Sequence, residues 1–247
     1  MSRESASSQK RVKRNVFSGS LPKQVYHQLR MSILRGEIAP NTKLVELTLA
    51  EQTGTSQGTI RDALQRLERD GLVERREHRG TYVTDLPTDE MQEVFAIRGM
   101  IEAYAVRRAI RFATAADLQH MEHLHGAMSL AAQQDNFEEL VELDLEFHRT
   151  ICEMAQSHLL LNAWGPLYSS IQRFIYQTHP RYFSNLQELA DTHLPLLNAL
   201  QQRDADRAAE LVHGHLRLIW TLIDDAARKA DQTKSDKSHQ SSVIDPI

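Results

Sequence analysis

The sequence predicts a mainly α-helical fold in two parts, and three observations support this. Apolar residues recur at helical spacing over most of the chain, and only one short stretch, 72–84, resembles paired strands. The charge also changes sign, from a net +5 over residues 1–86 to a net −9 over 87–247. A chain of 247 residues is ample for two domains.

Domain limits follow from local composition. We predict a disordered basic arm at 1–18, a first domain at 19–86, a second domain at 87–230 and a disordered polar tail at 231–247.

Met1–Ser20 has no apolar core, no apolar run approaches the ~18 residues of a membrane helix, and Cys152 has no second cysteine to pair with. These features predict a cytoplasmic protein with no membrane partner.

The first domain shows a pattern of three helices and a hairpin. Ser20 and Pro22 open a helix that stops at Gly36, and a short helix over about 47–52 is broken by a turn containing Gly54. Ser56 caps a third helix that ends near 70–71, and its inward residues are Ile60, Ala63, Leu64 and Leu67. Two short helices joined by a tight glycine turn are typical of a helix-turn-helix, and the strands 72–76 and 81–84 would form its wing.

This geometry predicts binding to double-stranded DNA, because the second helix of such a pair enters the major groove by its N-terminal end. The residues placed there are Ser56, Gln57, Gly58, Thr59 and Arg61. Gln can pair with adenine and Arg with guanine, whereas the hydroxyls and free backbone N–H groups suit phosphates. Arg79 and Gly80 at the wing tip would reach the neighbouring groove or backbone. The alternative is that Ser56 and Thr59 only cap the helix and Arg61 only faces solvent.

The second domain is predicted to contain six or seven helices. The first covers about 89–111, and Arg98 falls in the middle of its apolar stripe, where a charge needs a partner. Arg98 either pairs with an anionic ligand in a pocket, or forms a buried ion pair, or extends to water.

A metal site is suggested by one aspartate and three histidines. Asp144 and His148 are four residues apart on one helix face and can reach one metal ion, although a simple hydrogen bond is the commoner explanation of such a pair. His193 and His215 lie eleven residues before and after Asp204, so an antiparallel helical hairpin brings them to one level. This donor set suits zinc, nickel or another first-row divalent metal. The remaining candidates are expected to be solvated or to face elsewhere: His120, His123, His125 and His213.

Five segments of the first domain resemble the DNA-binding domain of the GntR family: Gly36–Leu44, Leu49–Ser56, Ile60–Leu67, Asp70–Val73 and Arg79–Val83. The family pattern at the recognition helix is Ser-Arg-x-Pro-Val-Arg-Glu-Ala-Leu. Here Gln57, Thr59 and Asp62 replace its first Arg, its Pro and its Glu, which leaves the fold intact and changes the expected operator sequence.

The second domain resembles the FCD effector-binding domain of one GntR subfamily, through Asp144–His148, His193–Leu200 and Ala208–Leu216. Gln156-Ser157-His158 departs from the usual Ser-Gly-Asn of a loop. The resemblance implies an all-helical bundle, a metal held by the matching Asp and three His, a carboxylate effector that touches the metal, and a homodimer.

The predicted function is therefore a ligand-responsive, DNA-binding transcription regulator that is not an enzyme. One alternative keeps DNA binding and makes the metal purely structural. A second is a metal hydrolase fused to a DNA-binding module, since three His and one Asp can activate water. Four protein ligands and the lack of an evident general base disfavour the hydrolase.

Overall fold

The computed structural model describes residues 20–240, so the basic arm predicted at 1–18 lies outside the described part. The first domain follows the predicted order, with a small sheet added. Its elements are α1 (Leu21–Leu34), β1 (Lys43–Leu44), α2 (Glu46–Thr53), α3 (Gln57–Arg69), β2 (Val73–Arg76) and β3 (Gly80–Val83). The strands are antiparallel in the order β1-β3-β2, which makes β3 the centre of the wing.

The recognition helix α3 forms as its sequence predicts. The Ser56 side chain accepts a hydrogen bond from the Thr59 amide and thereby satisfies one of the free donors of the first turn. The four predicted inward residues of α3 are all buried. Gly54 ends α2 at a φ of +64°, a left-handed conformation that glycine adopts without strain.

The second domain is an all-helical bundle of eight α-helices, counted over the described residues. They are α4 (Thr88–Phe112), α5 (Ala115–Gln133), α6 (Phe137–Met154), α7 (His158–Trp164), α8 (Tyr168–Tyr182), α9 (Leu186–Asp191), α10 (Leu194–Gln201) and α11 (Ala205–Gln240). Sequence periodicity predicted six or seven, because α7 and α9 have only seven and six residues and show too few turns to reveal a period. α4 lies in the middle of the bundle and packs against α6, α7, α8 and α11.

The predicted tail differs from the structure over its first ten residues, because α11 continues to Gln240. Once a helix exists, each added residue gains a backbone hydrogen bond at the cost of fixing one residue, and 231–240 contains no Pro or Gly to stop it. The rest of that tail, 241–247, lies beyond the described residues.

The two domains contact each other through α1 and α8. Arg30 of α1 hydrogen-bonds Gln172 of α8, and buried Arg173 donates to the Thr84 carbonyl oxygen at 2.7 Å, directly after the wing. Arg35 of α1 also pairs with Glu138 of α6 at 2.8 Å. Among the described helices, none combines the length and apolarity that crossing a bilayer requires.

Candidate metal centre and nucleic-acid interface

Three elements bring the four predicted metal ligands together. Asp144 and His148 project from α6, His193 is the residue before α10, and His215 lies on α11. One ligand atom from each lies within 4.8 Å of the others. The structure brings His193 and His215 together, with ring centroids 4.3 Å apart.

The hydrogen bonds of His148 determine which of its nitrogens carries a proton. Nδ1 lies 2.6 Å from the Glu102 carboxylate, which can only accept, so Nδ1–H donates. Burial lowers the pKa of His148 and favours the neutral ring. Its Nε2 therefore carries a lone pair, and it faces the Nε2 of His215 at 3.0 Å.

His193 is oriented in the same way by the end of α9. The Thr192 hydroxyl donates to the Leu189 carbonyl oxygen, so both oxygens near His193 Nδ1 are acceptors, at 3.2 and 3.3 Å. Nδ1 must therefore carry a proton. In the neutral ring Nε2 carries a lone pair, and this nitrogen lies 3.0 Å from Asp144 Oδ1.

This arrangement fits a divalent cation. Lone pairs of His148 and His193 converge with a carboxylate, and buried acceptors this close repel one another unless a proton or a cation lies between them. Burial raises the pKa of Asp144, but a proton on His193 Nε2 outweighs this through its hydrogen bond and charge and brings the pKa far below its usual range. A divalent cation would take the place of that proton. His215 Nδ1 is also buried without a partner. The donor set is compatible with a first-row divalent metal.

A buried carboxylate next to the candidate metal centre hydrogen-bonds one of the predicted metal ligands. Glu102 is fully buried and accepts from His148, from Arg98 Nε at 2.6 Å and from Trp164 Nε1 at 2.7 Å. Burial raises the pKa of Glu102, but the charge of Arg98 and the hydrogen bonds from His148 and Arg98 lower it to about 2. Sequence reasoning missed Glu102, although its position four residues after the buried Arg98 was a usable signal.

Arg98 is both ion-paired and incompletely satisfied. Its Nε pairs with Glu102, as one of the open alternatives held, while its Nη2 is buried without a hydrogen-bond partner. Arg98 lines a cavity of about 20 Å³ together with Asp144 and His215. That volume holds about one water molecule.

His179 of α8 also lines this cavity, and sequence reasoning missed it. Burial lowers its pKa to about 4, so the ring is neutral at pH 7. The Thr178 hydroxyl donates to the Phe174 carbonyl oxygen, so His179 Nδ1 donates to that hydroxyl and Nε2 is an acceptor. No sequence spacing relates α8 to the α6 pair, which explains the omission.

The other histidines largely follow expectation. His120, His123 and His213 are exposed and stand apart from the cluster. His125 was expected to be solvated but is half-buried, because α5 packs against α9, and burial lowers its pKa. His213 lies beside Gly99, where a Cβ atom would stand 3.1 Å from its ring, so α4 and α11 approach closely at that glycine.

The N-terminal end of α3 presents the predicted DNA-reading residues. Gln57 and Gly58 are exposed, and a Cβ atom on Gly58 would meet only Ser56 Oγ, at 3.7 Å. The domain itself therefore does not require a glycine there. Ser56 caps the helix, as the alternative interpretation held, and its hydroxyl lies 3.0 Å from that of Thr59.

Further basic residues lie between α3 and the wing. Arg61 forms an exposed two-point pair with Glu46, which costs little to break. Arg79 and Gly80 lie at the wing tip as predicted, both exposed. Sequence reasoning missed three basic residues in this region, namely Lys43, Arg75 and Arg76. The Arg-Arg pair in the wing strand was a visible signal.

Comparison with known families agrees with both domains. The family model "FCD domain" matches residues 93–218, which is slightly more than half of the chain, and the model "Bacterial regulatory proteins, gntR family" matches 21–83. The chain belongs to the GntR family. Members of this family regulate transcription by binding DNA and are not enzymes, so this GntR/FCD protein is a DNA-binding transcriptional regulator.

Relatives support this assignment, and a solved structure has the same fold. The HTH-type transcriptional repressor RspR of Escherichia coli K12 is 28% identical over 86% of this chain and 91% of its own. A probable D-xylose utilization operon transcriptional repressor of Paenarthrobacter nicotinovorans is 28% identical over 78% and 84%. The structure of E. coli McbR/YncC superimposes with a TM-score of 0.66 at 22% identity, covering 84% of this chain and 99% of that one, which shows a shared fold.

Proposed function

We propose that this GntR/FCD regulator senses a small carboxylate at a metal held by Asp144, His148, His193 and His215, and that the carboxylate changes its affinity for operator DNA. The observation that carries the proposal is the unpartnered Nη2 of Arg98, a buried cation facing the cavity beside the four ligands. A buried guanidinium edge without an acceptor is costly, and an anionic ligand would satisfy it. Zinc and nickel are the metals that suit the donors best, and a homodimer is the proposed active form.

Each residue has a distinct task in this scheme. A bound divalent metal would supply an electrophilic centre that attracts a carboxylate oxygen. Glu102 holds the His148 ring with Nε2 toward the position that a metal would occupy, and it holds the Arg98 guanidinium beside the same cavity. His179 Nε2 is an acceptor at the cavity wall and would take a hydrogen bond from the non-carboxylate part of the effector.

The small cavity suggests how the signal leaves the site. A carboxylic acid with its carbon skeleton is larger than one water molecule, so its binding must widen the cavity. α8 forms part of the wall through Ile175 and His179, and one turn earlier Gln172 and Arg173 contact the DNA-binding domain. Displacement of α8 would therefore move the DNA-binding domain.

An Arg30→Met variant tests this coupling. It removes the contacts of Arg30 with Gln172 and Glu142, while the cavity remains intact. We expect metal content and carboxylate affinity by calorimetry to stay within about twofold, and the carboxylate-induced change in operator affinity to shrink by at least about threefold. Arg35→Met is the matched control, because Arg35 pairs with Glu138 of α6. A full operator response in Arg30→Met would contradict coupling through this contact.

Recognition of DNA is assigned to Ser56, Gln57, Gly58, Thr59 and Arg61 in the major groove and to Arg79 and Gly80 on the wing. We expect Gln57→Ala to weaken binding to a duplex selected from a random pool by roughly 10- to 100-fold, since a paired base contact contributes about 1–3 kcal/mol of discrimination. Gln65→Ala, an exposed change two turns further along α3, is the control and should have little effect. Fluorescence anisotropy on selected and scrambled duplexes measures both, and equal loss on the two duplexes would show that Gln57 reads no base.

The sensing role is tested by titrating metal-loaded protein on its operator with mono-, di- and hydroxycarboxylates. At least one carboxylate should shift operator affinity, and it should be recovered unchanged after incubation. If no carboxylate alters operator binding, a purely structural metal is favoured. The small cavity and the four protein ligands also favour that alternative. Consumption of the carboxylate would instead indicate a catalytic centre.

A further inference from the structure

A surface cleft lies next to the small cavity of the candidate metal centre. The cleft has a volume of about 570 Å³, against about 20 Å³ for the cavity itself. Three side chains line both spaces, namely His179, Phe183 and Leu189. A single layer of side chains therefore separates the cavity beside Arg98 from a space of the size that small-molecule sites usually have, ~300–1,000 Å³. We call this space the α8–α9 cleft.

The wall of the α8–α9 cleft is mostly apolar. Its apolar residues come from the end of α5, the start of α6, the end of α8 and from α9: Ala132, Phe137, Pro180, Phe183, Leu186 and Leu189. Among the described residues that line the cleft none is lysine or arginine, and apart from His179 the ionisable one is the exposed Asp135. The cleft therefore disfavours an anion, whereas an alkyl or aryl group would be removed from water there.

The part of the separating layer that belongs to α8 is weakly held. Phe183 directly follows this helix in an extended conformation and is half-buried. Its ring stacks on that of His179, with centroids 5.3 Å apart. Pro180 has no amide hydrogen, so the last turn of α8 lacks one backbone hydrogen bond. Rotation of the Phe183 side chain out of this stack would join the cleft to the cavity.

A second surface cleft also adjoins the cavity, but its wall is fixed. It has a volume of about 440 Å³ and shares Phe95 and Leu216 with the cavity. The Phe95 ring packs against the rings of Phe174 and Trp220, with centroids 4.9 and 5.7 Å away. Phe95 is buried and lies within the regular helix α4. Opening this wall would break up an aromatic cluster, so the α8–α9 cleft is the favoured extension of the cavity.

We propose that the effector is a monocarboxylate with an apolar group, and that the α8–α9 cleft holds this group. The inference rests on the proposed carboxylate site and names the chemical class of its ligand. The carboxylate meets Arg98 Nη2 beside the metal position, and the chain passes His179 and Phe183. Its far end lies against Phe137 and Leu186. Because the chain displaces Phe183 at the end of α8, it acts on the helix that contacts the DNA-binding domain.

Calorimetry of the full-length, Zn²⁺-loaded chain with acetate, butanoate and hexanoate tests the apolar subsite. Each methylene removed from water contributes about fourfold in affinity, so hexanoate should bind at least about 50-fold more tightly than acetate. Hexanoate that binds no more tightly than acetate would overturn the cleft as a subsite and leave the carboxylate site standing. Absence of binding by all three would overturn the carboxylate site itself, together with its extension.

A Leu186→Lys variant locates the far end of the chain. Adipate has the six carbons of hexanoate and a second carboxylate at its far end. The wild-type chain should prefer hexanoate, because the cleft offers that carboxylate no lysine or arginine. Leu186→Lys places an ammonium group in the cleft and should shift the ratio of adipate to hexanoate affinity toward adipate by at least about tenfold. Because both ligands are measured on one variant, a partial loss of folded protein does not alter the ratio.

The matched control is Leu159→Lys, because Leu159 is 77% exposed on α7 and lies outside both spaces. It should keep the wild-type ratio. An unchanged ratio in folded Leu186→Lys, or an equal shift in both lysine variants, would show that the far end lies elsewhere and that the cleft is wrongly assigned. Ala132→Lys introduces the same charge from α5 and replaces Leu186→Lys if circular dichroism shows that variant to be unfolded.

Discussion

A chain carrying His193→Ala and His215→Ala is expected to bind no divalent metal in stoichiometric amounts. The double substitution leaves Asp144 and His148, which belong to one helix and lie on one side of the site. Loss of a residue that only supports a metal ligand costs roughly 10- to 100-fold in affinity, so the loss of two ligands should cost more than about 1000-fold. Elemental analysis of the purified protein and calorimetry with Zn²⁺ and Ni²⁺ measure this directly.

The control for this double variant is His123→Ala/His213→Ala, which removes two exposed histidines. It should retain wild-type metal content. Circular dichroism confirms that both variants are folded, since metal binding commonly contributes to folding stability. Stoichiometric metal in the His193/His215 variant would show that the four-residue site is wrong.

Substitution of Arg98 is expected to abolish the response to carboxylates. Arg98→Met also leaves the buried Glu102 carboxylate without its cation, and breaking a buried ion pair in this way costs roughly 3–5 kcal/mol of folding stability. We therefore expect a lower thermal midpoint as well as a lost response. Loss of folding would obscure the binding effect, so a second variant is needed.

Arg98→Lys separates the two roles. Lysine keeps a positive charge beside Glu102, but its single ammonium cannot both replace the Nε contact and present a second donor edge to the cavity. This variant should fold and retain its metal, while its affinity for the active carboxylate falls by roughly 10- to 100-fold, the loss of a charge-assisted hydrogen bond. Arg217→Lys, an exposed change on α11, is the control. Unchanged carboxylate affinity in Arg98→Lys would exclude Arg98 from the effector site.

Amphipathic patterns and turn chemistry were enough to predict the first domain. The inward residues of α3 recur at helical spacing, and Ser56 and Gly54 mark the turn, so the helix-turn-helix is visible in the chain itself. β1 was not predicted, because two residues cannot display an alternation; pairing with β3 creates that strand. The length of α11 was underestimated for a related reason, since a polar composition does not by itself stop an existing helix.

The candidate metal site was predictable because its members are related by simple geometry. Asp144 and His148 are one helical turn apart, and His193 and His215 are symmetric about the turn at Asp204. Glu102 and His179 have no such relation to the other members. Glu102 meets His148 and Trp164, 46 and 62 residues further along the chain, only because α4 packs against α6 and α7. Contacts of this kind depend on helix packing, which periodicity within one helix does not encode.

The central claim is most directly tested by anomalous diffraction from crystals of metal-loaded protein grown with the carboxylate that shifts operator affinity. The account predicts one metal peak about 2.0–2.2 Å from the Asp144 carboxylate and from a nitrogen of each of the three histidines, His148, His193 and His215. It also predicts a carboxylate oxygen on that metal and a second oxygen accepting from Arg98 Nη2. A metal bound elsewhere, or a carboxylate bound away from both the metal and Arg98, would contradict the account.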